Sequence, residues 1–313
     1  MSKPTETIYR LKLSLEVFTL IFLFIIAFSP RGFAYSNQVK IGKNMIHYID
    51  SGKTDNFPLL MIHGLGENLL TWQKILNRLP QEKYRFLLVD LPGHGQSTAQ
   101  RMGKYSHRHL ARQLIEFLDT LSIRKVIIIG HSLGGNLALR TALLHPERVQ
   151  ALFLISPAVF SVHGVPLSGL IFANPLLRTG IISIANKTLR SDTKLITTLQ
   201  DAVFDKNIID QDLIERIVKP ILQNPRSGLA LYYYLRDSSR NHVFPDLKSL
   251  TLPIFIMSGK EDAWVKISEI RRLTTFFSNA TFLEIHQCGH MPQEEKPDEI
   301  VEQLTKFINF HSQ

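Results

Sequence analysis

Cysteine is almost absent from this chain: Cys288 is the only one in 313 residues. No intrachain disulfide can form. No Cys/His cluster has metal-ligand spacing either, so no metal is expected. Stability must come from burial alone, which a chain of this length can supply. Internal repeats and low-complexity linkers are also missing, as is any stripe of interleaved basic and aromatic residues. The net charge is +9. Four cations and two carboxylates fall in residues 1–34, and without them +7 remains. Those charges are scattered, which argues against nucleic acid as a partner. A 44% apolar and 20% charged composition describes one large globular domain, or one domain with an insertion.

No uninterrupted apolar run reaches the roughly 20 residues of a membrane span. The nearest approach is residues 17–28, preceded by Arg10 and Lys12 and followed by Pro30 and Ala34. A basic leader, a short apolar stretch and a small residue near its end have the form of a secretory signal peptide. Alternatively, residues 11–28 could serve as an uncleaved membrane anchor. Either way residues 1–34 stand outside the fold, and the protein is expected to be exported, periplasmic or secreted, or anchored to a membrane.

From about residue 38 onward, strand and helix patterns alternate. Residues 45–49, 58–62 and 85–89 read as strands, with a helical stretch over 69–79. Between 105 and 122, Leu110, Leu114, Phe117, Leu118 and Leu121 share one helical face. A β-branched run at 125–129, a helix at 135–144 and strands at 151–155, 253–257 and 281–285 come next. A last helix starts at Pro297, with Asp298 and Glu299 in its first turn. This alternation predicts an α/β fold, a doubly wound, mostly parallel sheet with helices on both faces. Residues 35–158 and 247–313 form its core. Residues 159–246 show helical patterns and prolines but no strand, and read as a helical lid inserted after the strand at about 151–155.

The chemistry concentrates at strand ends. Gly130-His-Ser-Leu-Gly134 lies between a strand and a helix, as in a nucleophile elbow, where the turn thrusts the Ser132 hydroxyl into a cleft. Such a serine needs a base, an acid to orient the base and donors for an oxyanion. His290 sits in the loop after the strand ending near Ile285, with Gly289 giving that loop freedom. Asp262 sits just past the 253–257 strand. The order Ser132, Asp262, His290 is that of an elbow-type hydrolase. His286 reads as a half-buried structural residue, and Glu261 should point away. Asp201, Asp205, Asp210, Asp237 and Asp246 read as solvated lid surface. In the glycine-rich loop His63-Gly-Leu-Gly-Glu-Asn68, the Leu65 N–H joins that of Leu133 as the candidate oxyanion hole. His63 reads as a brace for this loop, and Asp90 and His94 as braces of the turn 90–97.

With His63-Gly-Leu-Gly66, Asp90-Leu-Pro-Gly-His-Gly-Gln-Ser97, Gly130-His-Ser-Leu-Gly-Gly135, Gly259-Lys-Glu-Asp262 and Cys288-Gly-His-Met-Pro292 in this order, the chain resembles the α/β-hydrolase superfamily. The likeness is to its lidded esterase and lipase branch, over about residues 38–311. It implies Ser132 as nucleophile, His290 as base and Asp262 as orienter. Serine at the elbow disfavours epoxide hydrolase and haloalkane dehalogenase chemistry, which in this superfamily uses aspartate there. The expected activity is hydrolysis of a small-molecule carboxylic ester without any cofactor. Apolar residues 165–172, with Leu176, Leu177, Ile181 and Ile182, suggest an acyl-chain substrate. A thioester, amide, lactone or carbon–carbon bond could replace the ester, and a binding protein on the same fold is the alternative outside enzymology. The oligomeric state is not legible.

Overall fold

A computed structural model describes residues 36–100, 105–160, 192–224, 227–238 and 244–312. The expectations for the leader and for the apolar stretch 165–182 lie outside the described residues. Eight strands form one sheet: β1 (Ser36–Ile41), β2 (Asn44–Ser51), β3 (Pro58–Ile62), β4 (Arg85–Val89), β5 (Val126–His131), β6 (Val149–Ile155), β7 (Ile254–Gly259) and β8 (Ala280–Ile285). Their order is β1-β2-β4-β3-β5-β6-β7-β8. Only β2 runs against its neighbours, and all pairings from β4 to β8 are parallel. This is the doubly wound architecture that the alternation implies.

The central strands are apolar at nearly every position because both faces are covered. Leu60, Ile62, Val126, Ile128, Leu152 and Leu154 face α1 (His107–Thr120) and α2 (Leu133–Leu144), meeting Leu110, Leu114 and Leu137. On the opposite face, Phe153 and Phe255 stack at 5.3 Å between ring centroids. Phe307 of the C-terminal helix packs edge-on against both.

Between β6 and β7 the described residues contain helices and no strand. They include α3 (Asp192–Ala202), a π-helical turn at Ile214–Val218 continuing into Lys219–Gln223, and α4 (Ser227–Ser238). After β7 come α5 (Ile267–Thr274) and, after β8, α6 (Pro297–His311). The start of α6 at Pro297 agrees with its sequence signal. The helix expected over 69–79 is instead a 3-10 turn, Leu69–Trp72, and a single α turn, Gln73–Leu76. Asn68 caps that turn by accepting from Leu70 N–H. The edge strand β1 goes unannounced because only Val39 and Ile41 carry its apolar contacts. No helix among the described residues is long and apolar enough to cross a membrane.

The join of β5 to α2 sets where Ser132 can stand. A Cβ on Gly130 would lie 2.5 Å from the Gly134 carbonyl oxygen, and one on Gly134 only 2.1 Å from that of Ile62. These contacts are with backbone and cannot yield by a rotamer change. Gly134→Ala must push α2 off β3, so an overpacking loss of about 1–3 kcal/mol or more is expected, read as a lowered urea midpoint at unchanged m-value.

Candidate active site

Ser132 succeeds β5 with φ +51° and ψ −114°, a conformation costly for any residue bearing a Cβ. Ser132 N–H donates to the Ile155 carbonyl at 2.9 Å, and Ala158 N–H donates to the Ser132 carbonyl at 3.0 Å. The backbone of β6 and its loop therefore holds the strained residue on both sides. The residue is 7% exposed. Its Oγ stands 2.9 Å from His290 Nε2, and His290 Nδ1 is 2.7 Å from Asp262 Oδ2. A carboxylate can only accept, so Nδ1–H donates to Asp262 and Nε2 is left to accept from Ser132. The other Asp262 oxygen accepts from Trp264 N–H and Val265 N–H, both at 2.8 Å, so the acid cannot swing away. The three residues picked from sequence meet in one hydrogen-bonded chain.

The histidine is held as firmly through its main chain. His290 N–H donates to the Ala202 carbonyl at 2.6 Å, and its own carbonyl accepts from His131 Nε2 at 2.7 Å. The Trp264 ring lies 5.1 Å from the His290 ring. Gly289 plays a part different from the expected one. A Cβ there would lie 2.4 Å from the Ala202 carbonyl oxygen, so glycine provides close approach rather than freedom to swing.

The rival carboxylates and histidine lie apart from this chain. Glu261 points elsewhere and accepts from Cys288 N–H at 3.1 Å. His286 is exposed, not half-buried. Asp201 and Asp246 are exposed, and Asp205 and Asp210 cap short helical turns. The side chain of Asp237 lies outside the described residues.

In the loop 63–68, His63 is a brace. Its Nε2 accepts from Leu91 N–H at 2.9 Å and its Nδ1–H donates to the Gly64 carbonyl at 2.7 Å. Burial pushes its pKa below the usual range, in keeping with a neutral ring. His94 Nε2 accepts from Gly66 N–H at 3.1 Å; burial, with His63 nearby, brings its pKa down to about 3. Asp90 accepts from Leu69 and Gln96 N–H and pairs with His47 at 2.6 Å. Gly64 N–H donates to Glu67 Oε2 at 3.0 Å and Glu67 N–H to the Gly64 carbonyl at 3.3 Å. Leu65 N–H and Leu133 N–H donate to no acceptor among the described residues, whereas Gly64 N–H and Gly66 N–H on either side of Leu65 are both engaged.

Several residues of the site escaped sequence reasoning. Glu294 and Glu295 come soon after His290 and reach back to the helical segment. Arg216 of the π-helical turn makes a two-pronged pair with Glu294, at 2.7 and 3.0 Å, which also binds Lys74 at 3.2 Å. Glu295 accepts from Phe204 N–H at 2.7 Å on one oxygen and from Gly289 N–H at 2.8 Å on the other. His131 is fully buried, with Nε2 on the His290 carbonyl and Nδ1 at 2.8 Å from Glu67 Oε1. That second contact is an ion pair bent off the linear N–H···O direction. Burial alone would push Glu67 up, but the His131 charge outweighs it and brings Glu67 down to about 2. Burial pulls His131 down, and Glu67 more than compensates, leaving it above its usual value. Proximity in sequence to Ser132 was the available signal for His131; none marked Arg216. Among the described residues no His/Cys/Asp/Glu group could hold a metal ion.

An elbow serine, a strand-end histidine and acid, and a doubly wound sheet agree with the likeness to known proteins. Residues 58–297 match the alpha/beta hydrolase fold family, and the chain belongs to that family. It is 27% identical to a 2-hydroxy-6-oxononadienedioate/2-hydroxy-6-oxononatrienedioate hydrolase of Burkholderia vietnamiensis, covering 88% of this chain and 94% of the relative. A Haemophilus influenzae relative with an esterase/lipase name is 27% identical over 93% of this chain and 99% of its own. The solved meta-cleavage product hydrolase of Pseudomonas fluorescens superposes with a TM-score of 0.73 at 23% identity, covering 87% and 97% of the two chains. The chain is thus a hydrolase-family protein whose relatives carry both esterase/lipase and 2-hydroxy-6-oxononadienedioate hydrolase names.

The buried charges govern two measurable outcomes. Arg216→Met leaves Glu294 buried with Lys74 as its remaining cation, and a loss of about 3–5 kcal/mol is expected in urea melts. For the Glu67–His131 pair, the depressed Glu67 value adds stability above pH 4.5 that disappears as pH falls toward about 2. The raised His131 value adds stability below pH 6.5 that disappears as pH climbs through its folded value. Melting temperature measured against pH should therefore show Glu67→Gln furthest below the native chain between pH 4.5 and 6.5.

Proposed function

We propose that this protein is a serine hydrolase that cleaves carboxylic esters through an acyl-enzyme on Ser132. The observation that carries the reading is the hydrogen-bonded chain from Ser132 Oγ through His290 to Asp262. His290 Nε2 takes the hydroxyl proton as Oγ attacks the carbonyl, and Asp262 stabilises the imidazolium so formed. The Leu65 and Leu133 N–H groups, lacking acceptors among the described residues, receive the developing oxyanion. The proton then passes to the leaving alcohol, and water clears the acyl group by the same steps.

The helical residues between β6 and β7 act as a lid in this reading. Leu199, Val203 and Val218 of this segment cluster with Met291 beside Trp264, which suits an apolar acyl group. Hydrolysis of a carbon–carbon bond, suggested by the Burkholderia relative's name, uses the same triad. Its dianionic substrate calls for cations, and among the described residues Arg216 and Lys74 are both bound to Glu294. The apolar cluster favours esters. Residues 1–34 are read as an export leader, and sequencing the mature N-terminus separates cleavage from anchoring.

A fluorophosphonate probe and p-nitrophenyl esters of graded chain length test the reading. Ser132→Ala is expected to abolish labelling and to lower kcat by on the order of a thousandfold or more. Equal labelling of the variant, or faster turnover of a vinylogous 1,5-diketone than of any ester, overturns it.

A further inference from the structure

The base and the Leu65 oxyanion donor of the proposed machine come from loops near opposite ends of the chain, and one buried pair joins them. Glu67 holds the oxyanion loop by accepting Gly64 N–H on Oε2, one residue before Leu65. Its other oxygen lies 2.8 Å from His131 Nδ1. His131 in turn donates from Nε2 to the His290 carbonyl at 2.7 Å and is the residue immediately before Ser132. Both ring nitrogens face acceptors, Nε2 the His290 carbonyl and Nδ1 the Glu67 carboxyl. A Cβ on Gly64 would sit 2.9 Å from His131 Nδ1, so the loop lies directly on the ring. Glu67 is 7% exposed and His131 fully buried.

We propose that Glu67 and His131 are positioning residues. They set the distance between the oxyanion-hole loop and the His290 imidazole by bridging Gly64 N–H to the His290 carbonyl beneath the elbow. The proposal rests on the ester-hydrolase reading for its kinetic consequences but not for its structural ones. Neither residue touches the reacting atoms, so substrate binding is left intact while alignment in the transition state is lost.

The bridge makes a distinctive demand on substitution. In Glu67→Gln, the amide oxygen still accepts Gly64 N–H. Its NH2 can donate to Nδ1 of a neutral His131, which keeps its proton on Nε2 for the His290 carbonyl. Glu67→Ala removes both contacts. Glu67→Met removes them while filling the space, and serves where the alanine cavity prevents folding.

The test measures p-nitrophenyl butyrate kinetics and hydrogen exchange by mass spectrometry on the full chain and these variants. In Glu67→Ala or Glu67→Met, kcat is expected to fall about 100-fold with KM within about threefold, the scale of a misplaced catalytic geometry. Exchange in residues 63–68 and 288–292 should quicken together. Glu67→Gln is expected to keep kcat within about fivefold. A folded Glu67→Ala or Glu67→Met with native kcat overturns the proposal. So does a loss confined to KM, or a Glu67→Gln variant as impaired as Glu67→Ala. If the native chain turns over no ester, the hydrolase reading fails alone. Exchange then decides for the bridge, and unchanged exchange in the two segments overturns it.

Discussion

A serine held at φ +51° is the constraint around which the molecule is arranged. That backbone conformation is unfavourable for a residue with a Cβ, and it persists because its surroundings leave no alternative. Ile155 and Ala158 bind the Ser132 peptide groups from the neighbouring strand and its loop. Gly130 and Gly134 let α2 press against the backbone of β3 and β5 closely enough that a methyl group cannot intervene. Parallel strands buried on both faces supply the rigidity behind this turn. Were the elbow relaxed, Oγ would leave the 2.9 Å contact with His290.

Around this apolar frame the loops are fastened by polar contacts. His63 ties the 63–68 loop to Leu91, His94 grips the same loop at Gly66, and Asp90 joins β2 to two separate turns. Each of these groups is buried, and each would be costly without its partner. Burial lowers the pKa of both histidines and so favours their neutral forms, whereas that of His131 is raised because Glu67, facing it, outweighs burial. The same side chain is thus pushed toward or away from its charged form according to what stands opposite.

The legible parts of this structure were those governed by local pattern. Alternating β and α periods located most of the sheet, and glycines flanking Ser132 marked the sharpest turn. Asp262 and His290 were found because each comes after a strand, at the end where a parallel sheet presents its loops. What stayed hidden depended on partners distant in sequence. Arg216 resembles any surface arginine until Glu294 lies opposite, and Glu67 reads as one more loop carboxylate until His131 is seen beneath it. Gly289 was recognised as special for the wrong reason, since the neighbouring carbonyl of Ala202 is invisible in a linear pattern. The edge strand β1 lacked a pattern because only one side of it is packed.

Glu294 and Glu295 are consecutive, yet each grips a different stretch of the helical segment: one the side chain of Arg216, the other the peptide groups of Phe204 and Asp205. They belong to the core by position in the chain and to the segment by contact. For anyone exchanging substrate-selecting segments between members of this family, the modular boundary therefore does not fall at the ends of β6 and β7. A transplanted segment has to travel with residues 290–295, or it arrives without its fastenings and leaves a buried Glu294 and a half-buried Glu295 without these partners near the histidine it was meant to serve.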